Sequence, residues 1–151
     1  MKIKNQRSLI SLCYVALFFC ALFIVTSIGQ FIKGINGMPW IEEIKGIQSV
    51  IFYGKYSMFF MLFILLSAVI INTIKGIKKN NPFPKANVAL IYAIAAVDTV
   101  VKFCSDNWHV FDGKTYLGIE DDVIITPLLI VILGILYSVA HKASVDSNLS
   151  I

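Results

Sequence analysis

The sequence is poor in the residues that usually build catalytic or metal-binding sites. Only 15% of its 151 residues are charged, and it contains two histidines and three cysteines. The cysteines form no CxxC pair, and the acidic residues do not follow the spacing of a calcium-binding EF-hand loop. The sequence also lacks a glycine-rich phosphate-binding loop and a convincing triad of serine, histidine and acid. These absences argue against an enzyme, and we expect no catalytic residue, no cofactor and no metal site.

Apolar residues, in contrast, are abundant. They make up 58% of the chain, and the mean hydropathy is +0.80. A soluble domain of this length cannot cover so much apolar surface, and the apolar residues fall into four long runs, as in membrane-spanning helices. We therefore predict an all-α membrane protein that forms one four-helix transmembrane domain, residues 1–151, in the lipid bilayer. The spans are expected to cover about residues 9–32, 56–74, 86–104 and 123–140.

Basic residues are distributed unevenly between the segments that flank these spans. One set occupies the N-terminus, the loop between spans two and three, and the C-terminus: Lys2, Lys4, Arg7, Lys75, Lys78, Lys79, Lys85 and Lys142. These segments contain a single acid, Asp146, whereas the other two loops hold five lysines and seven acids. Because basic loops tend to stay in the cytoplasm, both termini are predicted to be cytoplasmic.

The formal net charge is +4, because 13 lysines and arginines outnumber nine acids. Lysines that flank membrane helices serve topology and contact lipid headgroups, so we expect no direct binding of nucleic acid. The richness in isoleucine, lysine and asparagine suits a low-GC bacterium. The predicted location is therefore the plasma membrane.

The two loops on the outer side contain local patterns. In the first loop, apolar residues recur at the spacing of one helical face: Trp40, Ile41, Ile44, Ile47 and Ile51. This spacing favours a short helix in the membrane interface over a loop packed across the helix tops. In the second loop, residues 109–111 and 114–116 flank Asp112-Gly113, a pair that type I′ turns prefer. We therefore expect a hairpin-like second loop.

Span three carries Asp98, the one acid inside a predicted span. An acid within the membrane is costly unless it faces protein or water. Lys102 lies four residues further on, at the spacing of a same-helix ion pair. We favour this structural pair, with a proton or cation site between helices as the alternative. The alanines at positions 86, 89, 93 and 96 are spaced to let a neighbouring helix approach span three closely.

Three acids, Glu120, Asp121 and Asp122, precede span four. Carboxylates at a helix N-terminus interact favourably with the helix dipole and can cap free amides. We expect this capping role, with an outer cation site as the alternative. Pro127 follows in the first turns, where a missing backbone amide is expected to cost nothing.

The loop between spans two and three, and the tail, resemble a known family. The motifs are Asn81-Pro82-Phe83 with Asn87 a few residues on, and the tail of residues 145–151, VDSNLSI. They are similar to those of an uncharacterised bacterial family of small four-helix membrane proteins. This chain has Ser150 where the family's ending has threonine, and its tail is less acidic.

Members of that family are often encoded beside a small helix-turn-helix regulator. The resemblance therefore implies that the cytoplasmic face binds such a regulator and holds it at the membrane. The implied surface comprises Lys78, Lys79, Phe83, Asn87, Asp146, Asn148, Leu149 and Ile151.

Three functions fit the sequence. The one we favour is a non-enzymatic membrane protein that regulates or sequesters a cytoplasmic partner, such as a small DNA-binding regulator. The second is an immunity or envelope-stress protein directed against membrane-active peptides. The third is a small transporter or channel subunit that uses Asp98. A homo-oligomer is a further assembly to consider, since four small spans rarely act alone.

Overall fold

The computed structural model describes residues 6–37, 46–114 and 116–149, with side chains up to Asp146. The helices within these residues are α1 (Gln6–Gly37), α2 (Ile47–Lys78), α3 (Ala86–Asp106) and α4 (Asp121–Leu149), and a 3₁₀ helix, Asn107–Asp112, follows α3. The described residues form no strand. The four α-helices are long and apolar enough to cross a membrane, so the prediction of an all-α, multi-pass membrane protein is confirmed.

Each predicted span lies inside a longer helix. α2 begins at Ile47 instead of residue 56, and α4 continues to Leu149, beyond residue 140. Ile47 and Ile51 therefore belong to the first turns of α2, which corrects the prediction of a separate interfacial helix for that stretch. The rest of the predicted interfacial helix, residues 38–45 with Trp40, lies outside the described residues.

Within the described part of the chain, the helices pack in chain order. α1 contacts chiefly α2, α2 contacts α3, and α3 contacts α4, while α1 has no extensive contact with α3 or α4. The arrangement is thus a row and not a closed bundle. α3 lies inside this row and buries the most residues, among them Asn87, Ile94 and Asp98. The outer helices expose large apolar side chains such as Leu12 and Leu136, as helices that face lipid should.

Close contacts between helices occur at glycines instead of at the predicted alanines. A Cβ on Gly54 of α2 would lie 3.0 Å from Cys104 Sγ of α3. A Cβ on Gly134 of α4 would lie 3.0 Å from the Tyr92 ring of α3. Small residues let helix backbones approach in this way. Of the four predicted alanines, those at positions 86, 89 and 96 are exposed, so the prediction that they face a neighbouring helix of this chain is wrong, while Ala93 is half-buried.

Pro127 lies deeper in its helix than predicted. Because α4 begins at Asp121, position 127 falls in the second turn, where an amide would normally bond to the Val123 carbonyl. Proline has no such amide, so the expectation that Pro127 costs nothing is wrong.

The second outer loop is helical where a hairpin was predicted. Residues Asn107–Asp112 continue α3 as a 3₁₀ helix, which ends at Gly113 with a left-handed φ of 82°. This geometry buries Val110 against Ile51 and Cys104, and the aromatic rings of Trp108 and Phe111 pack beside it. Burial of these side chains outweighs the local preference of Asp-Gly for a type I′ turn, and the hairpin prediction is wrong.

Candidate functional site

Hydrogen bonds show which chain segments lie at the same end of the molecule. Gln6 Nε2, at the start of α1, donates to the Ile77 carbonyl at 2.7 Å and to Asn80 Oδ1 at 3.2 Å. His141 Nδ1 of α4 donates to the Phe83 carbonyl at 2.6 Å. The start of α1, the connection between α2 and α3 and the last part of α4 therefore share one end, as the grouping of basic residues assumed.

This end carries six exposed basic side chains: Arg7, Lys75, Lys78, Lys79, Lys85 and Lys142. We call these six residues the basic end. Among the described residues, Asp146 is an exposed acid at the same end. The opposite end exposes four acids, Asp112, Glu120, Asp121 and Asp122, together with two lysines, Lys33 and Lys114. Exposed positive charge is therefore concentrated at the basic end, whereas the opposite end carries mixed charges with an excess of acids.

The connection at the basic end is built around the last turn of α2. The amides of Lys79 and Asn81 both donate to the Gly76 carbonyl at 2.9 Å, and the Asn80 amide donates to the Ile77 carbonyl at 3.1 Å. Asn80 adopts a left-handed φ of 57°. This pattern is a Schellman motif, in which asparagine is one of the few residues other than glycine that tolerate the left-handed position. The chain reversal is therefore fixed by backbone hydrogen bonds.

Asn87, on the first turn of α3, is completely buried. Its Nδ2 lies 3.1 Å from the Val69 carbonyl, 3.0 Å from Thr73 Oγ1 and 3.0 Å from the Tyr137 hydroxyl. One side chain thus links α2, α3 and α4. Its Oδ1 is buried without a hydrogen-bond partner among the described residues. In a membrane, where water cannot replace such bonds, this cluster contributes to the packing of three helices.

The residues implied by the family resemblance therefore separate into different environments. Lys78, Lys79 and Asp146 are exposed and can meet a partner. Phe83 is half-buried, with its ring 5.4 Å from that of Tyr137 in an edge-to-face contact. Asn87 is inaccessible, so its assignment to a partner surface is wrong. The side chains of Asn148 and Leu149, and all of Ile151, lie outside the described residues.

Asp98 does not form the predicted ion pair with Lys102. Lys102 Nζ lies 3.2 Å from Asp122 Oδ2, so it connects α3 to the start of α4. Asp98 is only 9% exposed, and its Oδ2 has no hydrogen-bond partner among the described residues. The pairing prediction is wrong because the acid of a neighbouring helix is better placed than the acid of the same helix.

The acidic cluster before α4 is exposed. Glu120, Asp121 and Asp122 all face outwards, and Asp122 is engaged by Lys102. Within the described ranges, no three acidic, histidine or cysteine side chains converge on a common metal position. The cluster lies at the N-terminus of α4, where its charge complements the helix dipole.

A groove with a volume of about 260 Å³ separates α1 and α2. Its lining includes Ser27, Phe31, Tyr56 and Ser57. Both serine hydroxyls donate back to carbonyls of their own helices at 2.5 Å, Ser27 to Phe23 and Ser57 to Tyr53. The groove walls are therefore apolar, which suits hydrocarbon and offers little to a polar substrate.

Comparison with known proteins finds no matching family model, no matching curated protein and no matching solved structure. The family resemblance of residues 81–83 and Asn87 therefore stays a prediction. The sequence signals missed the roles of Gly76, Thr73 and Tyr137. These residues are ordinary in membrane helices, and their contacts connect positions far apart in the chain.

Proposed function

We propose that the protein is a non-enzymatic, multi-pass protein of the plasma membrane that binds a cytoplasmic protein at its basic end, with both termini in the cytoplasm. The observation that carries this proposal is the set of six exposed cations that lie on and around the hydrogen-bonded connection between α2 and α3. The resemblance of residues 81–83 and Asn87 to the small four-helix family suggests the partner class, a small helix-turn-helix DNA-binding regulator.

Membrane topology requires positive charge on the cytoplasmic side, but it does not require the basic residues to be held in a fixed arrangement. Here the Schellman motif holds Lys78 and Lys79, while the bond from His141 to the Phe83 carbonyl ties the connection to α4. A surface that is already ordered loses less conformational entropy on binding. Exposed cations also steer an acidic partner surface into contact. The basic end is thus suited to hold an acidic face of a small protein.

The lysines of the connection provide a direct test. Lys78→Gln together with Lys79→Gln should reduce recovery of the helix-turn-helix partner, cross-linked and purified from native membranes, by about tenfold, or roughly 1.4 kcal/mol. Lys114→Gln is the matched control, because Lys114 is an exposed lysine at the opposite end. It should leave the recovery unchanged.

Two results would contradict this function. One is equal recovery of the partner with the double variant, and the other is no small DNA-binding protein recovered with the wild type. The orientation is checked in the same experiment with Lys78→Cys and Lys114→Cys. A membrane-impermeant maleimide should label the first only from the cytoplasmic side and the second only from outside.

Asp98 supports a second candidate function, a small transporter or channel subunit. A carboxyl group that is buried in a membrane helix, with one oxygen unpartnered, is costly and usually marks an ion or proton pathway. Asp98 is 9% exposed, so neighbouring side chains shield it from direct contact with lipid.

Replacing Asp98 with asparagine separates this candidate from a structural role. Asp98→Asn keeps the side-chain size and removes the charge, so it should stabilise the protein by about 1–2 kcal/mol while abolishing proton or monovalent-cation flux into liposomes. Asp146→Asn, an exposed acid at the basic end, is the control for flux. Flux that is equal in wild type and Asp98→Asn would exclude the transport function.

A further inference from the structure

The segment between the 3₁₀ helix and α4 is fastened at two points. At the first point, Asn107 Nδ2 donates to the Gly118 carbonyl at 2.8 Å, and the Gly118 amide donates to Asn107 Oδ1 at 2.8 Å. Asn107 Nδ2 also donates to the Phe103 carbonyl at 2.9 Å. The Asn107 side chain is completely buried and both of its polar atoms are used. This fastening involves no titratable group.

At the second point, both ring nitrogens of His109 face backbone carbonyls. Nδ1 lies 3.0 Å from the Asp106 carbonyl oxygen, and Nε2 lies 2.9 Å from the Tyr116 carbonyl oxygen. The Tyr116 ring stacks on the imidazole with ring centroids 4.6 Å apart. A carbonyl oxygen can only accept a hydrogen bond, so each contact needs an N–H on the ring.

A neutral imidazole has one N–H and one lone pair, whereas the imidazolium has two N–H groups. In the neutral ring, one nitrogen lone pair must face a carbonyl oxygen at about 3 Å, which is repulsive. We propose that His109 is a proton-operated latch: protonation of its ring fastens Tyr116 to the end of α3, and loss of the proton releases one of the two contacts.

The released contact is the one to Tyr116. The Asp106 carbonyl belongs to the last residue of α3 and lies on the same helical turn as His109, so that contact is local. Tyr116 belongs to a separate segment, and its side chain is 61% exposed. Because Gly118 stays bonded to Asn107, the release frees the backbone at Tyr116 and leaves α4 in place. The latch therefore controls a loop at one face of the membrane, in response to the pH on that side.

Other ionisable groups belong to the elements that hold the ring: Asp106, Asp112, Lys114, Tyr116 and Glu120. A pH effect on the segment must therefore be assigned by substitution. His109→Gln retains all of these groups and removes the imidazole. His141→Gln is the matched control, because His141 lies at the basic end.

The latch is tested with a nitroxide spin label on the variant Leu117→Cys. Leu117 is 46% exposed in the wild type, so a label at this position is accessible. A Cys13→Ala background suffices, because Cys20 and Cys104 are buried. Between about pH 8 and about pH 5, the ratio of immobile to mobile label should rise about tenfold. The rise should vanish in His109→Gln and persist in His141→Gln. An unchanged ratio in the background protein, or the same rise in His109→Gln, would overturn the latch.

A measurement on the wild type keeps the proposal testable if His109→Gln does not fold. In protein labelled with ¹⁵N-histidine, His109 should carry hydrogens on both ring nitrogens at about pH 5, and both should be hydrogen-bonded. A ring that stays neutral at that pH, or an imidazolium with one nitrogen free of a hydrogen bond, would overturn the latch.

Discussion

Replacing Gly76 with alanine should destabilise the protein by about 3 kcal/mol or more, one of the largest effects of any single methyl group in this chain. A Cβ at this position would overlap the carbonyl oxygen of Asn81 and would lie 3.2 Å from Pro84 Cδ. Neither atom is the end of a flexible side chain. The Asn81 carbonyl belongs to the backbone of the Schellman motif, so the clash can be relieved only by opening the chain reversal.

The consequence extends beyond α2. The displaced segment carries Phe83, whose carbonyl accepts the hydrogen bond from His141 and whose ring packs on Tyr137. Gly76→Ala should therefore also weaken the contact between the connection and α4. Thermal unfolding in detergent measures the loss of stability, and protection of the connection from proteolysis reports on the local opening.

Gly29→Ala is the matched control. Gly29 lies inside α1, and a Cβ there meets no atom within 4 Å. Since alanine has a higher helix propensity than glycine, this variant should be stabilised by about 0.5–1 kcal/mol. A Gly76→Ala protein within about 0.5 kcal/mol of the wild type would show that the chain reversal can shift at little cost, contrary to the packing described here.

The helices could be predicted from the sequence because long apolar runs have few alternatives in a membrane. Their ends could not. Ile47 and Ile51 read as part of an interfacial segment, yet they continue α2, since polar residues such as Gln48 are no obstacle to a helix that reaches beyond the hydrocarbon region. Gln48 Nε2 instead donates to the Val110 carbonyl at 3.1 Å, which ties this extension to the 3₁₀ helix.

The polar contacts were the least predictable part of the candidate site. Lys102 has an acid four residues before it, but its partner, Asp122, lies 20 residues away. Asn87 follows a polar loop and was assigned to the surface, although the Tyr137 hydroxyl that it contacts is 50 residues distant. Local spacing describes which side chains share a helix face. It does not describe which neighbouring helix brings a closer partner.

This result changes the meaning of the motif that supports the family resemblance. Pro82 follows the Schellman motif, a position where proline is common because it cannot continue the helix. Phe83 covers Tyr137, and Asn87 bonds to the same tyrosine. The residues of the motif thus build the connection between α2 and α3. The exposed lysines beside them, and not the motif itself, are the residues available to a partner.

The Asn87 cluster gives the second large expected effect. Asn87→Ala should cost about 2–3 kcal/mol, because it removes the hydrogen bonds to α2 and α4 and leaves a cavity among three helices. The same substitution removes the buried, unpartnered Oδ1, which by itself favours the variant. This gain is smaller than the loss, since the amide oxygen does not hold the helices together. Asn87→Asp should cost at least as much, because it keeps the shape but removes both N–H donors.

A double-mutant cycle identifies the bond that carries the effect. Tyr137→Phe removes only the hydroxyl, so combining it with Asn87→Ala should give a coupling energy of about 0.6–1.7 kcal/mol, measured by unfolding in detergent. Asn72→Ala is the control, because Asn72 is half-buried on α2 and makes no side-chain hydrogen bond to the described residues. It should change the stability by less than about 0.5 kcal/mol. Additive effects of Asn87→Ala and Tyr137→Phe would contradict a stabilising bond between Asn87 and Tyr137, and would leave the contacts of Asn87 with Val69 and Thr73 on α2 as the source of its effect.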